Sequence, residues 1–190
     1  TWLIRHDSEE SNIPMYSMHQ VVREAVKEQL EIEGATHIGL IDACTEALNQ
    51  STNNYVFAVA AQIIPFATTI FEEIHEENAH NAVLSDAIGK YYKEAAIHSL
   101  ALQWWQEAAT LAEKVFGTEH TNTVTAYSNI AEAYKSLGDY TRALEVFIDA
   151  LYISEILLEK DYAHTVSIYS SIALIYNEQG DYHRALEWLF

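Results

Sequence analysis

TVTAYSNIAEAYKSLGDYTRALEVFI, residues 123–148, returns 42 residues later as TVSIYSSIALIYNEQGDYHRALEWLF, residues 165–190. The two stretches align without a gap and agree at 14 of 26 positions, where unrelated chains of this composition share about one or two. Such a duplication governs the fold, because a repeated supersecondary unit packs against its own copies. Tyr127, Ile130, Ala131 and Tyr134 fall at i, i+3, i+4 and i+7. That spacing is one stripe of a helix, with the small Ala131 where a neighbouring backbone comes close. Gly138 and Asp139 end it: glycine takes the left-handed conformation at a helix C-terminus, and aspartate caps the next helix. Tyr140, Ala143, Leu144, Phe147 and Ala150 then form a second stripe. Each unit is a pair of antiparallel helices that cannot bury its apolar face alone, so the units stack.

This pattern resembles the tetratricopeptide repeat, whose apolar, small and aromatic first helix and Gly-x-Tyr-x-x-Ala-x-x-x-Phe-x-x-Ala second helix are matched from Tyr127 to Ala150. The resemblance implies an all-α fold, a right-handed α-solenoid of stacked helix pairs. The period of 42 exceeds the usual ~34, and the surplus falls in a longer second helix, Tyr140 to about Leu158, and its connection. It is similar to the longer variety found in kinesin light chains and in the C-terminal arms of many signalling ATPases. Leu111 to Gly117 followed by His120 to Thr123 is similar to the inter-repeat stretch of that variety, with Thr121 where a proline is usual.

One period earlier the register persists faintly. Ile88, Gly89 and Tyr92 fall under Ile130, Ala131 and Tyr134, and Ala101, Leu102, Trp105 and Ala108 under Ala143, Leu144, Phe147 and Ala150. Ala96-Ile97-His98 stands where the Gly-Asp-Tyr turn would be, so the expectation is the same packing with a different turn. Thr36 to Gln50 and Tyr55 to Ile74 read as two more amphipathic helices, with Pro65 near a kink. The resulting division is 1–34, an N-terminal unit; 35–80, a diverged helical pair; 81–122, a degenerate repeat; 123–164, a full repeat; and 165–190, a truncated repeat.

The N-terminal unit differs. Thr1 to Arg5 and Pro14 to Ser17 are β-capable pieces around a polar turn, and His19 to Glu31 carries Val21, Val22, Ala25, Val26 and Leu30 at helical spacing. A β-hairpin feeding a helix is expected. The stretch Tyr16 to Val22 is similar to the end of the winged-helix domain in switch ATPases of the NB-ARC and related STAND group. That resemblance implies a nucleotide-sensing histidine at His19, although Gln20 replaces the aspartate that completes the family's Met-His-Asp triplet. It also implies a nucleotide-binding core upstream. The 190 residues hold no Gly-x-x-x-x-Gly-Lys-Ser/Thr, and without that phosphate cradle the chain is expected neither to bind nor to hydrolyse ATP, and to need no cofactor.

Charge narrows the partners. Against 28 Asp and Glu stand 10 Lys and Arg, a formal charge of −18. Such a chain repels phosphate backbones and anionic lipid heads, so neither nucleic acid nor membrane is an expected partner. No apolar run approaches the ~18 residues of a membrane span. Cys44 is the single cysteine, so no intrachain disulfide can form, and a reducing, cytoplasmic setting is expected. The chain opens on Thr1 and stops at Trp188-Leu189-Phe190 inside an apolar helical pattern. Both ends are expected to continue in a longer protein, and the apolar C-terminal residues are expected to be partly exposed and available for self-association.

Catalytic and metal chemistry find little purchase. Glu72-x-x-His75 and Glu77-x-x-His80 have the Glu-x-x-His spacing of di-iron bundles, but lie on one segment near Asn78 and Asn81, where a helix is expected to end. Cys44 sits in an apolar stripe and reads as a small buried hydrophobe. Trp105 belongs to the core and Trp104 to its edge. No acid, base and nucleophile converge, so no catalytic site and no metal site is expected.

The expected working surface is the groove lined by successive first helices. In the tetratricopeptide pattern the groove-facing residues correspond to Thr125, Ser128, Asn129, Glu132, Lys135 and Ser136 in one repeat, and to Ser167, Ser170, Ser171, Leu174, Asn177 and Glu178 in the next. A carboxamide both donates to and accepts from an extended peptide backbone, and the family uses asparagine at the position of Asn129 in that way; Ser171 stands there in the next repeat. A protein or peptide is the expected partner. Two functions follow: the repeat arm of a nucleotide-dependent signalling switch, or a stand-alone adaptor or secreted effector.

Overall fold

The computed structural model describes residues 37–53, 57–74, 76–157 and 162–189. Among these residues eight helices follow one another: α1 His37–Asn53, α2 Phe57–Glu73, α3 Ala79–Glu94, α4 His98–Phe116, α5 Thr121–Ser136, α6 Tyr140–Ile156, α7 Tyr162–Glu178 and α8 Tyr182–Glu187. Among the described residues there is no strand. The expected hairpin, the helix at His19 to Glu31 and His19 itself lie outside the described residues. No described helix is long and apolar enough to cross a membrane.

Each helix packs on its neighbour in sequence, and first helices also pack on one another, α1 on α3 and α5 on α7. The buried residues explain why pairs cannot stand alone. Ala101, Trp105 and Ala109 of α4 share a core with Ala126, Ile130 and Ala133 of α5, so this core lies between two pairs. Val124 and Ala131 of α5, Ala143, Phe147 and Ala150 of α6, and Ile168, Ile172 and Ile175 of α7 form the next. The third joins α1, α2, α3 and Leu111 of α4. Apolar burial therefore runs along the stack, and removing one pair strips cover from the next.

Helix starts are tied down by a buried polar residue that recurs at the 42-residue period. Asn81, Thr123 and Thr165 are all buried. Asn81 Nδ2 donates to Glu76 O at 2.9 Å, Thr123 Oγ1 donates to Gly117 O at 2.7 Å, and Thr165 Oγ1 meets Ser154 Oγ at 2.6 Å. Each satisfies a polar group that burial would otherwise leave costly. Asn78 begins α3: its side chain accepts from Asn81 N at 2.8 Å. The expectation that a helix ends near Asn78 and Asn81 is thus overturned. α2 stops at Glu73, and the two asparagines, poor in a helix interior but good at its start, open the next one. Pro65 lies inside α2, which continues past it to Glu73.

The turn inside each pair also departs from expectation. Gly138 and Gly180 both take φ +79°, and Ala96, one period earlier, takes φ +57°. Asp139 N donates to Tyr134 O at 2.9 Å, Asp181 N to Tyr176 O at 2.8 Å, and Ile97 N to Tyr92 O at 2.8 Å. The side chains differ, but the backbone turn is the same. Stacking fixes where α4 must lie relative to α3, and Ala96 is held in a left-handed conformation that glycine would adopt freely. In the later repeats Asp139 and Asp181 cap their helices through the backbone N of Arg142 and Arg184. Those arginines lie over the rings of Tyr134 and Tyr176, at 4.6 and 5.2 Å from the centroids.

Candidate binding groove

First helices α3, α5 and α7 line a groove of about 390 Å³. Thr125, Ser128, Asn129 and Glu132 reach it from α5, Ser167, Ile168 and Ser171 from α7 with His164, and Lys93 from the last turn of α3. Six of the twelve expected groove residues thus meet in one place. Lys135, Ser136, Ser170, Leu174, Asn177 and Glu178 do not line it. Ser170 and Asn177 line a separate, more apolar hollow of about 350 Å³ with Leu174, Tyr182, Leu186 and Leu189, because they point to the side of α7 away from α5. Lys135 is turned onto Glu132 at 2.6 Å.

Most polar groups in the groove already hold one another across repeats. Asn129 Nδ2 donates to Asp86 Oδ1 of α3 at 2.8 Å. The donor half of the expected clamp is therefore committed to the neighbouring repeat. Ser171 Oγ donates to Glu132 Oε1 at 3.1 Å, and Lys135 Nζ also reaches that oxygen at 2.8 Å. Glu132 thus joins α5 to α7 with its charge compensated by Lys135. The Thr125 hydroxyl donates to Thr121 O at 2.9 Å and lies 3.1 Å from His164 Nε2. Lys93 and Ser167 are the groups open to a ligand, both exposed and Lys93 without an ion-pair partner among the described residues; the Ser128 hydroxyl also has no hydrogen-bond partner but is itself buried.

Asp86 sets the electrostatics behind the groove. Burial raises its carboxyl above the usual range, and the Asn129 amide, the Lys90 charge and the Trp105 indole N–H pull it back only in part. The indole N–H forms no well-made hydrogen bond yet lies near enough to favour the charged form. Asp86 also stands at the wall of a smaller cavity of about 140 Å³ between α3, α4 and α5, where Val83, Ala108 and Phe116 are among its neighbours.

Sequence reasoning missed Lys93 and His164. The signal for Lys93 was present, since it lies one period before Lys135; His164 precedes the repeated Thr165 and occupies the position of Asn122. The other candidates fall outside the groove. His80 Nδ1 meets Asp42 Oδ1 at 2.6 Å, Glu77 takes Lys114 Nζ at 2.6 Å, and His75 lies outside the described residues. Among the described residues no three His, Cys, Asp or Glu side chains are grouped to hold a metal. Cys44 is partly buried against the core that α1, α2 and α3 share, and burial pushes its thiol up. Trp105 is 2% exposed, and Trp104 packs edge-on against Phe71 at 5.1 Å.

The tetratricopeptide-repeat family model matches residues 87–155 and again 122–189. No curated protein sequence matches the chain. Solved structures resemble it at low identity and so speak to the fold alone. The BtubC (BKLC) protein from P. vanneervenii is 16% identical, with a TM-score of 0.67 over 90% of this chain and 68% of its own. A putative kinesin light chain with nearly identical TPR-like repeats, from Podospora anserina, is 15% identical, with a TM-score of 0.68 over 92% of this chain and 83% of its own. A Rap protein complexed with competence and sporulation factor is 20% identical, with a TM-score of 0.65 over 92% of this chain; the chain spans about half of that protein, 49%.

Proposed function

The chain belongs to the tetratricopeptide-repeat family, and from that premise we propose that it is a protein-interaction module that receives a peptide or protein segment in the groove between α3, α5 and α7. One observation carries this reading: six side chains that the repeat register assigns to a binding face meet in a single groove of about 390 Å³. Ser167 is exposed within it and Lys93 stands free at its rim, so a bound chain finds both a hydrogen-bonding group and a charge. A likeness in fold to a Rap protein complexed with competence and sporulation factor supports a peptide or protein ligand.

In this reading the module is non-catalytic and works in the cytoplasm, as a repeat arm that passes binding to a nucleotide-dependent switch. Support for the switch comes from the likeness of Tyr16 to Val22 to the end of a winged-helix domain, in which His19 matches the position of the family's nucleotide-sensing histidine. Binding would then shift a closed–open equilibrium by its differential affinity for the two states. A phosphate-loop sequence encoded upstream of Thr1 in the same reading frame is the expected finding; its absence leaves the stand-alone adaptor.

The groove is tested by panning a displayed random-peptide library on the purified chain. Selected peptides are expected to lose at least tenfold in affinity for Ser167→Trp, which fills the groove from an exposed position, while the melting temperature holds. Undiminished binding to that variant would overturn the reading.

A further inference from the structure

The outer face of α6 carries a strip of apolar side chains that the fold does not require. Ile148, Tyr152 and Ile156 follow one another at i, i+4 and i+8, and are 48%, 68% and 50% exposed. On a helix this spacing makes one continuous apolar strip. The neighbouring repeat is an internal control. One period earlier, on α4, the same three positions are Gln106, Thr110 and Lys114, all exposed. Gln106 and Lys114 bond to Tyr134 and Glu77, and Thr110 to its own helix. A second helix therefore stacks with polar residues there. Ile148, Tyr152 and Ile156 take no part in the core, which α6 meets through Ala143, Phe147, Ala150 and Leu151.

Charge identifies what would cover the strip. Glu145 lies one turn before it, Asp149 beside it and Glu155 along its other edge, all three exposed. Glu155 takes a hydrogen bond from Tyr169, whereas neither Glu145 nor Asp149 has an ion-pair partner among the described residues. The whole chain adds a charge of −18. An anionic lipid surface is repelled by that field, and a second copy of the chain would bring like charges together. A helix with an apolar stripe between Lys or Arg residues satisfies both features, burying the strip while its charges meet the acidic margins.

We infer that α6, which does not line the groove, is a second docking surface, for a cationic amphipathic helix of a partner protein. Ile148, Tyr152 and Ile156 fill the partner's apolar stripe, and Glu145 and Asp149 fix its orientation. Tyr152 is the expected anchor, as the largest and most exposed of the three and an aromatic residue of the kind that dominates such contacts.

The probe is a synthetic peptide of about 20 residues, above the ~15 below which isolated helices are marginal. It carries leucines at i, i+4 and i+8 with lysines on both margins. The chain is expected to bind it at least tenfold more tightly than a scrambled peptide of the same composition, which removes simple attraction between opposite charges as the cause. Replacing Ile148→Gln, Tyr152→Thr and Ile156→Gln together leaves the net charge unchanged and is expected to cost at least tenfold in affinity. Helical circular dichroism and binding of groove-selected peptides are expected to hold. Tyr152→Thr alone gives the same direction without three simultaneous changes. Glu145→Gln with Asp149→Asn is expected to weaken binding and flatten its salt dependence. Equal binding by the chain and the triple variant would overturn the inference, as would equal affinity for a probe with glutamates in place of lysines. A chain that dimerises until the strip is made polar would overturn it in favour of a second copy as occupant.

Discussion

Gly89 and Trp105 show how closely one residue can depend on another across a helix pair. A Cβ placed on Gly89 would stand 2.6 Å from Trp105 Nε1 and 2.7 Å from Cδ1. The indole is buried and cannot swing aside. One and two periods later the position of Gly89 is filled by Ala131 and Ala173, and that of Trp105 by Phe147 and Leu189; the larger ring goes with the smaller partner. Gly89→Ala gains about 1 kcal/mol of helix propensity but overpacks the core, at about 1–3 kcal/mol. A net loss of about 1 kcal/mol in chemical denaturation is expected, recovered when Trp105→Phe is added. No coupling in that double-mutant cycle would show that the ring finds another seat.

Asp86, three residues before Gly89, is the other residue whose surroundings decide its behaviour. Burial raises its folded pKa, so folding takes up a proton at a pH where the unfolded carboxyl has already lost one. Stability contributed by this site therefore falls as pH rises from the ordinary carboxylate range near 3.8 through the folded value, and stays lowered above it. Asp86→Asn keeps an oxygen for Asn129 Nδ2 and removes the buried charge. Its stability relative to the unmodified chain is expected to rise between pH 4 and pH 7; a flat difference across that range would mean Asp86 is fully solvated. The Asn129 partner explains why this was illegible in the sequence. Periodicity places Asn129 on the groove face, but which side chain it meets 43 residues away depends on how the repeats are stacked.

At the scale of the element, the turn between α3 and α4 holds the same backbone as the two glycine turns without their glycine. Ala96 is exposed at φ +57°, which costs a residue with a Cβ about 1–2 kcal/mol. Glycine relieves this but loses more entropy on folding. Ala96→Gly is thus expected to stabilise by about 0.5–1 kcal/mol, checked by thermal and urea unfolding. A loss would mean that α3 and α4 can relax together when free of the strain. The degenerate repeat was legible from its apolar stripes alone; its turn was not, since the sequence offers no glycine there and the geometry is imposed by neighbours. The same limit hid the bonds from Tyr127 to Glu113 and from Tyr169 to Glu155, each 2.6 Å. Both recur at the 42-residue period, yet they pair the first helix of one repeat with the second helix of the one before, and stripes within a helix do not show this.

Across the whole molecule the apolar cores run in series while the charge is shared by all. With 28 acidic and 10 basic side chains, the stack compresses like charges that the unfolded chain would spread apart. Opposing this are exposed pairs such as Lys114 with Glu77 and Arg142 with Asp139, each worth about 0–1 kcal/mol and itself weakened by salt. The two effects carry opposite signs in salt, and the excess of acids should decide. Raising NaCl from about 20 to about 500 mM shortens the screening length from roughly 20 Å to under 5 Å, below the spacing of successive helices but still longer than a contact pair. Repulsion between repeats is then lost before attraction within pairs. If about 1–2 kcal/mol is relieved, the melting temperature should climb by about 2–8 °C for a chain of this size. A melting temperature that falls with salt would reverse the ranking and make the exposed ion pairs, with the pair of His80 and Asp42 that ties α3 to α1, the dominant electrostatic support of the stack.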